Sequence, residues 1–243
     1  MSYNELFASI KDPQRRTGTE QGGAWYRGIS DGRHTLTPSL LRQRKRHADA
    51  EINMFADFWT MIEGVDIKDS WERLSLMQHY GVPTRLLDWT TDLNIAVYFA
   101  VASAERKGTG DPCIWVLNPY KLNELHSGTR VIYDAVDRVD FDYYDAARAF
   151  ARNGTPFPND KAVALRPTWS NARIRLQSGC FTFHGSDDPL EAVVNTRIAK
   201  RVQIPHSSVH DIREKLLREG IHPLKVFGGV EGLATYVRRT YLD

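Results

Sequence analysis

The feature that most constrains the fold is the segment of residues 78–90, which reads Gln-His-Tyr-Gly-Val-Pro-Thr-Arg-Leu-Leu-Asp-Trp-Thr. A stretch with helical spacing of apolar residues leads into it, and Ser70 is the predicted N-cap of that helix. Gly81 stands where helices commonly end in the left-handed conformation, and Pro83 forces the residue before it into an extended conformation. A second helix is predicted at residues 93–104. The segment therefore links two helices through an extended stretch.

The remaining elements are predicted from apolar periodicity and turn residues. Strands are expected at residues 24–28, 113–117, 172–183 and 193–204, the last two as a hairpin, and helices at residues 51–62, 141–152, 209–218 and 230–241. In the last helix, Leu233, Tyr236 and Val237 are expected to face inward. Strands and helices do not alternate as a doubly wound parallel sheet requires.

The predicted fold is therefore α+β. It is a single domain over residues 24–243, with a central mixed or antiparallel sheet and packed helices, and residues 1–23 form an N-terminal extension.

Composition excludes several classes of protein. The 243 residues, 42% of them hydrophobic, can bury a core without metals or disulfides. Cys113 and Cys180 lie in apolar runs, as buried thiols do. With no signal-like segment at residues 1–12 and no apolar run approaching about 18 residues, we expect a cytoplasmic protein without a membrane partner. The net charge of +2 is too small for nucleic-acid binding by net charge alone, so such binding would depend on the basic cluster at residues 42–47.

The segment at residues 78–90 also carries the main candidate functional groups. His79 can exchange protons near neutral pH, and Asp88 can orient a ligand or accept a proton. Arg85 can bind a phosphate through two parallel hydrogen bonds, and Tyr80, like Trp89, can stack on a base or a nicotinamide ring. The alternative is structural: Arg85 and Asp88 would form an ion pair that stabilises a strand end, with His79 at a helix end. P-loop, HExxH, paired CxxC, GxSxG and Rossmann glycine motifs are absent from the sequence.

Three groups of motifs resemble those of the FRG domain family. They are Tyr26-Arg27-Gly28, where the family is named for Phe-Arg-Gly; residues 78–90 followed by Ala96-Val97-Tyr98-Phe99-Ala100; and Arg173 with Gln177-Ser178-Gly179-Cys180-Phe181. The resemblance extends over roughly residues 24–240.

The order of these motifs is in turn similar to that of ADP-ribosyltransferases. Those enzymes present a strand arginine, a Ser/Thr strand followed by an Ala-x-x-Phe helix, and a late strand that carries a glutamate. By this resemblance Arg27 takes the place of the first arginine and Thr90, with Thr91, that of the Ser/Thr position. Ala96 and Phe99 belong to the following helix.

The late strand departs from the transferase pattern. It would span residues 171–183, where Asn171, Arg173 and Gln177 are all without negative charge. Either another acid such as Asp88 replaces the glutamate, or the chain is not a transferase.

The resemblance implies an enzyme that uses NAD as a substrate, without a metal, to modify a nucleic acid or a protein. The catalytic candidates are His79, Asp88 and Gln177, and the candidates for NAD binding are Arg27, Tyr80, Arg85, Thr90, Tyr98 and Arg173. It further implies the toxin or effector of a bacterial anti-phage or toxin–antitoxin system, held silent by an inhibitory antitoxin-type protein.

Two other hypotheses come from the residues themselves. The first is a non-catalytic module for RNA or DNA, based on residues 42–47 and on Tyr143 and Tyr144 as stacking surfaces. The second is a nuclease that uses His79 and Asp88, although these lack the carboxylate cluster that holds Mg²⁺.

Overall fold

The computed structural model describes residues 1–43, 49–104, 110–134, 140–167 and 172–242. Within these ranges the strands are β1 Trp25–Ile29, β2 Leu86–Thr90, β3 Cys113–Leu117, β4 Tyr133–Asp134, β5 Val163–Arg166, β6 Gly179–Phe183 and β7 Ala199–Gln203. They form one sheet in the order β4-β5-β6-β2-β1-β3-β7, in which β4 and β5 are parallel and the other pairs antiparallel. The predicted α+β class with a mixed sheet is confirmed.

Helices surround the sheet. Their bounds are α1 Tyr3–Thr17, α2 Ala50–Met61, α3 Ser70–His79, α4 Leu93–Val101, α5 Pro119–Ser127, α6 Tyr143–Asn153, α7 Ala172–Leu176, α8 Leu190–Val193, α9 Val209–Arg218, α10 Pro223–Phe227 and α11 Gly229–Leu242. Among the described helices, none has the length and apolar content needed to cross a membrane.

The buried side chains form three clusters set by strand alternation. On one face of the sheet, α1, α4 and α9 pack over β1 and β3. Beside them on the same face, α2, α3 and α6 pack over β2, β5 and β6. The third cluster covers the opposite face and includes Trp25, Leu87 and Trp89. Two groups of helices thus share one sheet face, and their boundary runs along β1 and β2.

The link from α3 to β2 has the predicted conformation with a different N-cap. Asp69 caps α3 by accepting a hydrogen bond from the Glu72 backbone N–H, at 2.8 Å. Ser70, the predicted cap, is the first helical residue, and its hydroxyl donates to Asp142 at 2.7 Å. Gly81 has φ +80°, as predicted for a residue that ends the helix.

The predicted hairpin of residues 172–183 with residues 193–204 is wrong. Residues 172–176 form helix α7, and only residues 179–183 form a strand. That strand, β6, pairs with β2 and β5, whereas β7 pairs with β3 at the edge of the sheet. Pairing with distant strands therefore overrides the local pattern.

Helix α1 packs into the core, and helix α11 is oriented differently from the prediction. Residues 1–23 contain α1, whose Leu6 and Ile10 are fully buried in the same core as α4. Tyr26 of β1 accepts a hydrogen bond from Gln14 of α1 at 2.6 Å, which ties the two elements together. At the other end, Leu233 and Val237 of α11 were predicted to face inward but are 47% and 45% exposed, and Tyr236 is 36% exposed.

Gly28 allows β1 to approach α4 closely. A Cβ at this position would lie 1.8 Å from the Ala96 carbonyl oxygen and 2.6 Å from the Ala100 nitrogen. Since both atoms are backbone, the helix itself must shift. We expect Gly28→Ala to lower the free energy of unfolding by about 3 kcal/mol or more, measured by urea denaturation. Gly179→Ala is the matched control on β6, where the nearest atoms lie at 3.4 Å. Equal losses in the two variants would contradict this account.

Candidate functional site

A cleft of about 330 Å³ opens where β1 and β2 diverge. The two strands are in register only at Tyr26 and Thr90, whereas β1 and β3 pair over five positions. Beyond that pair, the Asp88 carbonyl oxygen of β2 accepts a hydrogen bond from Arg27 Nη1 at 2.6 Å. The Arg27 side chain thus replaces a backbone N–H of β1 as the donor. The cleft therefore lies in the sheet itself, at the boundary between the two helix groups.

Asp88 presents its carboxylate to the cleft from the middle of β2. The side chain is 57% exposed, although its neighbours on the strand are buried. Gln78 Nε2 donates to Asp88 Oδ2 at 3.0 Å, and Arg27 Nη1 lies 3.8 Å from the same oxygen. Gln78 Oε1 in turn accepts a hydrogen bond from the Thr84 hydroxyl. Gln78 thus fixes the orientation of the carboxylate.

Another wall of the cleft is formed by α7 and the turn into β6. Arg173 of α7 and Gln177 of the turn both line the cleft. Thr90 ties this wall to β2, because its hydroxyl donates to the Gln177 carbonyl oxygen at 2.6 Å. Ser178 has φ +46°, a backbone conformation that residues other than glycine rarely adopt. Its carbonyl oxygen accepts from the Thr91 N–H at 3.1 Å, so the turn is held to β2 at two points.

The cleft has an excess of positive charge. Among its described lining residues, Arg27, Arg42 and Arg173 are cationic, and Asp88 is the only carboxylate. Burial lowers the pKa of Arg27, and the charge of Asp88 opposes that shift. The Arg27 Nε atom is buried without a hydrogen-bond partner. Burial also lowers the pKa of His79, and the positive charge of Arg173 lowers it further. These groups favour an anionic ligand.

Six of the nine predicted site residues line the cleft. They are Arg27, His79, Asp88, Thr90, Arg173 and Gln177. Their positions bring together the three motif groups, which are far apart in the sequence. Arg173 is also bound within the protein: its guanidinium lies 3.9 Å from Glu231 and 4.9 Å from the centre of the Phe227 ring.

Arg85, predicted to bind phosphate, lies in the core instead. It is 1% exposed, and its Nε is 2.8 Å from both carboxylate oxygens of Glu51. Its Nη1 donates to the Gly185 carbonyl oxygen at 2.9 Å, and the guanidinium stacks 4.3 Å from the centre of the Phe157 ring. The alternative ion pair of Arg85 with Asp88 is also wrong, because Arg85 pairs with Glu51 and Asp88 lies beside Arg27.

The two predicted tyrosines lie outside the cleft lining. Tyr98 is 5% exposed and packs in the core, whereas its neighbour Phe99 lines the cleft. Tyr80, at the end of α3, is 64% exposed and lies beside His79, with ring centres 4.8 Å apart. Trp89 borders the cleft but is buried, and its indole N–H donates to Thr182 at 3.0 Å.

Sequence reasoning missed several lining residues. Examples are Gln78, Arg42, Phe99, Ser75 and His34. The only signal for Gln78 was its place within residues 78–90, because its contacts with Thr84 and Asp88 require the turn between α3 and β2.

The surface predicted to bind nucleic acid is only partly described. Arg42 and Gln43 are exposed, and residues 44–47 lie outside the described residues. Tyr143, predicted as a stacking surface, is 1% exposed and donates its hydroxyl to Glu51 at 2.6 Å. Tyr144 packs against Phe55, with ring centres 5.4 Å apart. In the described ranges, no group of three or more His, Cys, Asp or Glu side chains could hold a metal ion.

A buried histidine behind the cleft predicts a pH dependence of stability. His184 is 1% exposed and shares a hydrogen bond with Thr182, and burial, with the charges of Arg27, His126 and Arg85, lowers its pKa to about 3. Below about pH 6.5 His184 binds a proton in the unfolded chain but stays neutral in the folded chain. The contribution of neutral His184 to the free energy of unfolding is therefore fully present above this pH and decreases towards pH 3, by up to about 1.4 kcal/mol per pH unit.

Urea denaturation between about pH 5 and 7 measures this loss, because ordinary carboxylates titrate mainly below that range. His184→Gln should show a shallower pH dependence than the wild type. Parallel curves for the two proteins would contradict the assignment to His184.

Together, the fold and the site define an α+β protein with a basic cleft in a split sheet. The sequence model of the FRG domain family matches residues 22–109, a region that contains β1, β2 and α4. Residues 22–109 therefore match the FRG domain family, as the motifs within that region predicted. Comparisons with curated proteins and with solved structures found no match.

Proposed function

We propose that the chain is an ADP-ribosyltransferase-like enzyme that uses NAD as a substrate and binds it in the cleft between β1 and β2. The observation that carries the proposal is the environment of Asp88. This exposed carboxylate is held by Gln78 beside Arg27, and the other charged residues in the described lining of the cleft are cationic. A cleft of about 330 Å³ also falls within the usual size range of ligand pockets, about 300–1,000 Å³.

The lining residues are suited to the two parts of NAD that need recognition. The pyrophosphate is anionic, and Arg27 and Arg42 offer guanidinium groups to it. The nicotinamide ring is flat and needs an aromatic or apolar surface, which Phe99 and Ile174 supply. Arg173 and His79 also line the cleft and can bind a second anionic group or the acceptor.

Asp88 supplies the negative charge that the reaction needs. In ADP-ribosyl transfer the bond between the ribose C1′ atom and the nicotinamide nitrogen breaks, and its electron pair leaves with nicotinamide. Positive charge develops on the ribose before the nucleophile of the acceptor forms the new bond to C1′. A fixed carboxylate stabilises this charge more strongly in the transition state than in the ground state.

The reaction is tested with NAD labelled separately in the nicotinamide and adenine parts. The purified chain is incubated with labelled NAD and with RNA, DNA or a bacterial extract. We expect released nicotinamide and an equal amount of adenine label on a macromolecule. Folded protein that releases no nicotinamide under any of these conditions would overturn the proposal.

The FRG resemblance extends the proposal to a biological role. We propose that the chain is a toxin or effector of a bacterial defence or toxin–antitoxin system, which an antitoxin-type protein holds inactive. Induced expression in a bacterial host should then arrest growth, and Asp88→Asn should remove the arrest. Equal growth arrest by the wild type and the variant at equal protein levels would contradict a role that depends on the cleft.

A further inference from the structure

The outward face of α11 is apolar, which is the reverse of an ordinary surface helix. Its inward face carries Gly232, where a Cβ would lie 3.0 Å from the Pro223 carbonyl oxygen. The outward face carries a stripe of exposed apolar side chains: Val230 (82%), Leu233 (47%), Val237 (45%) and Tyr241 (79%). Because these residues recur every three or four positions, they form one line along about 17 Å of helix.

The stripe continues onto the neighbouring helix. Leu176 of α7 is 44% exposed, and a Cβ at Gly228, next to the start of α11, would lie 2.6 Å from its Cδ1 atom. Contiguous exposed apolar surface of this kind marks an interaction site. The stripe residues are not among the described residues that line the cleft, although Glu231, beside the stripe, lies 3.9 Å from the guanidinium of the cleft residue Arg173. The role of this surface does not depend on the proposed reaction.

The charges beside the stripe indicate which partner covers it. Glu231 and Arg238 are both exposed and are seven residues apart, about two helical turns, so they lie on the same flank of the stripe. When two helices pair antiparallel, the same flank of each helix meets. Glu231 of one copy then faces Arg238 of the second copy, and the contact repeats by symmetry.

We propose that α11 pairs antiparallel with α11 of a second copy of this chain, about a twofold axis near Ala234. Ala234 is small and exposed on the apolar side, so the two helices can approach closely there. The α11 pair, with Leu176 at its edge, covers less area than a standard interface of about 1,600 Å². We therefore expect a weak dimer in reversible equilibrium with the monomer.

Sedimentation equilibrium of the whole chain at about 100 µM tests the pairing. We expect a dimer in the wild type, a monomer in Val237→Asp, and a dimer in the control Lys11→Asp, whose site is exposed on α1. A wild-type monomer, or a dimer that survives Val237→Asp, would overturn the proposal. A monomer that instead sediments with phosphatidylcholine–phosphatidylserine vesicles would show that lipid covers the stripe, and would overturn it too.

A charge exchange tests the antiparallel arrangement. Glu231→Arg alone and Arg238→Glu alone should each weaken the dimer a few-fold, because like charges then face each other. The double variant should restore it, since the pair reforms with its charges reversed. Failure of restoration would rule out this register. Ala234→Cys should also form a disulfide between two copies on oxidation, and Cys113 and Cys180 do not compete because both are buried. A monomeric product would contradict the position of the axis.

Discussion

Replacing Asp88 with asparagine is expected to lower the rate of nicotinamide release by roughly 100-fold or more, with little change in stability. The substitution keeps the shape of the side chain and an oxygen that can accept from Gln78 Nε2. It removes the negative charge that stabilises the developing charge on the ribose. In the variant Arg27 keeps its hydrogen bond to the backbone carbonyl oxygen of residue 88, and the side chain at that position, 57% exposed, can reach water, so we expect little change in stability.

The rate is measured under single-turnover conditions with labelled NAD. Asp66→Asn is the matched control, because Asp66 is an exposed acid outside the cleft lining. If Asp88→Asn retains more than about a third of the wild-type rate, Asp88 is not the group that stabilises the transition state.

A second large effect is expected on stability rather than on activity. Arg85→Met should lower the free energy of unfolding by about 3–5 kcal/mol, because it leaves the buried Glu51 carboxylate without its cation. Adding Glu51→Gln should recover part of that loss, since the uncompensated charge is then removed. Urea denaturation measures both values.

Arg15→Met serves as the control for losing an arginine at the surface. The Arg15 side chain is 73% exposed, and the substitution should change stability by less than about 0.5 kcal/mol. A small effect of Arg85→Met on stability would contradict its structural role. Normal stability together with loss of NAD binding would show that Arg85 belongs to the ligand site.

The contrast between Arg85 and Asp88 shows what the sequence can predict about the site. Both belong to one dense motif, several of whose residues line the cleft beside β2. Which side chains enter the cleft depends on partners far away in sequence. Glu51, the partner of Arg85, is 34 positions earlier, and its carboxylate gave no sign of being buried.

Helix α4 shows a second limit. Its residues are apolar on nearly all sides, so periodicity does not specify which side faces the cleft. Tyr98 was the predicted site residue, but it packs in the core, whereas its neighbour Phe99 lines the cleft. In α11 the apolar face was predicted correctly, but its direction was not, because amphipathicity does not reveal whether the same domain covers that face.

The strands were most predictable where local pattern and tertiary pairing agree. β3 has the predicted bounds, because Cys113–Leu117 is an apolar run between turn residues and lies inside the sheet. Residues 172–183 were less predictable. The first five form a helix, and the rest pair with β2 and β5, which are remote in the chain.

The central claim is that the cleft between β1 and β2 binds NAD through Arg27. Calorimetric titration with NAD tests it most directly, because binding is measured without an acceptor or any turnover. We expect saturable binding of one NAD per chain by the wild type, the same binding by Arg15→Gln, and loss of at least about tenfold in affinity in Arg27→Gln. No binding by the folded wild type, or equal affinity of Arg27→Gln and the wild type, would contradict the claim.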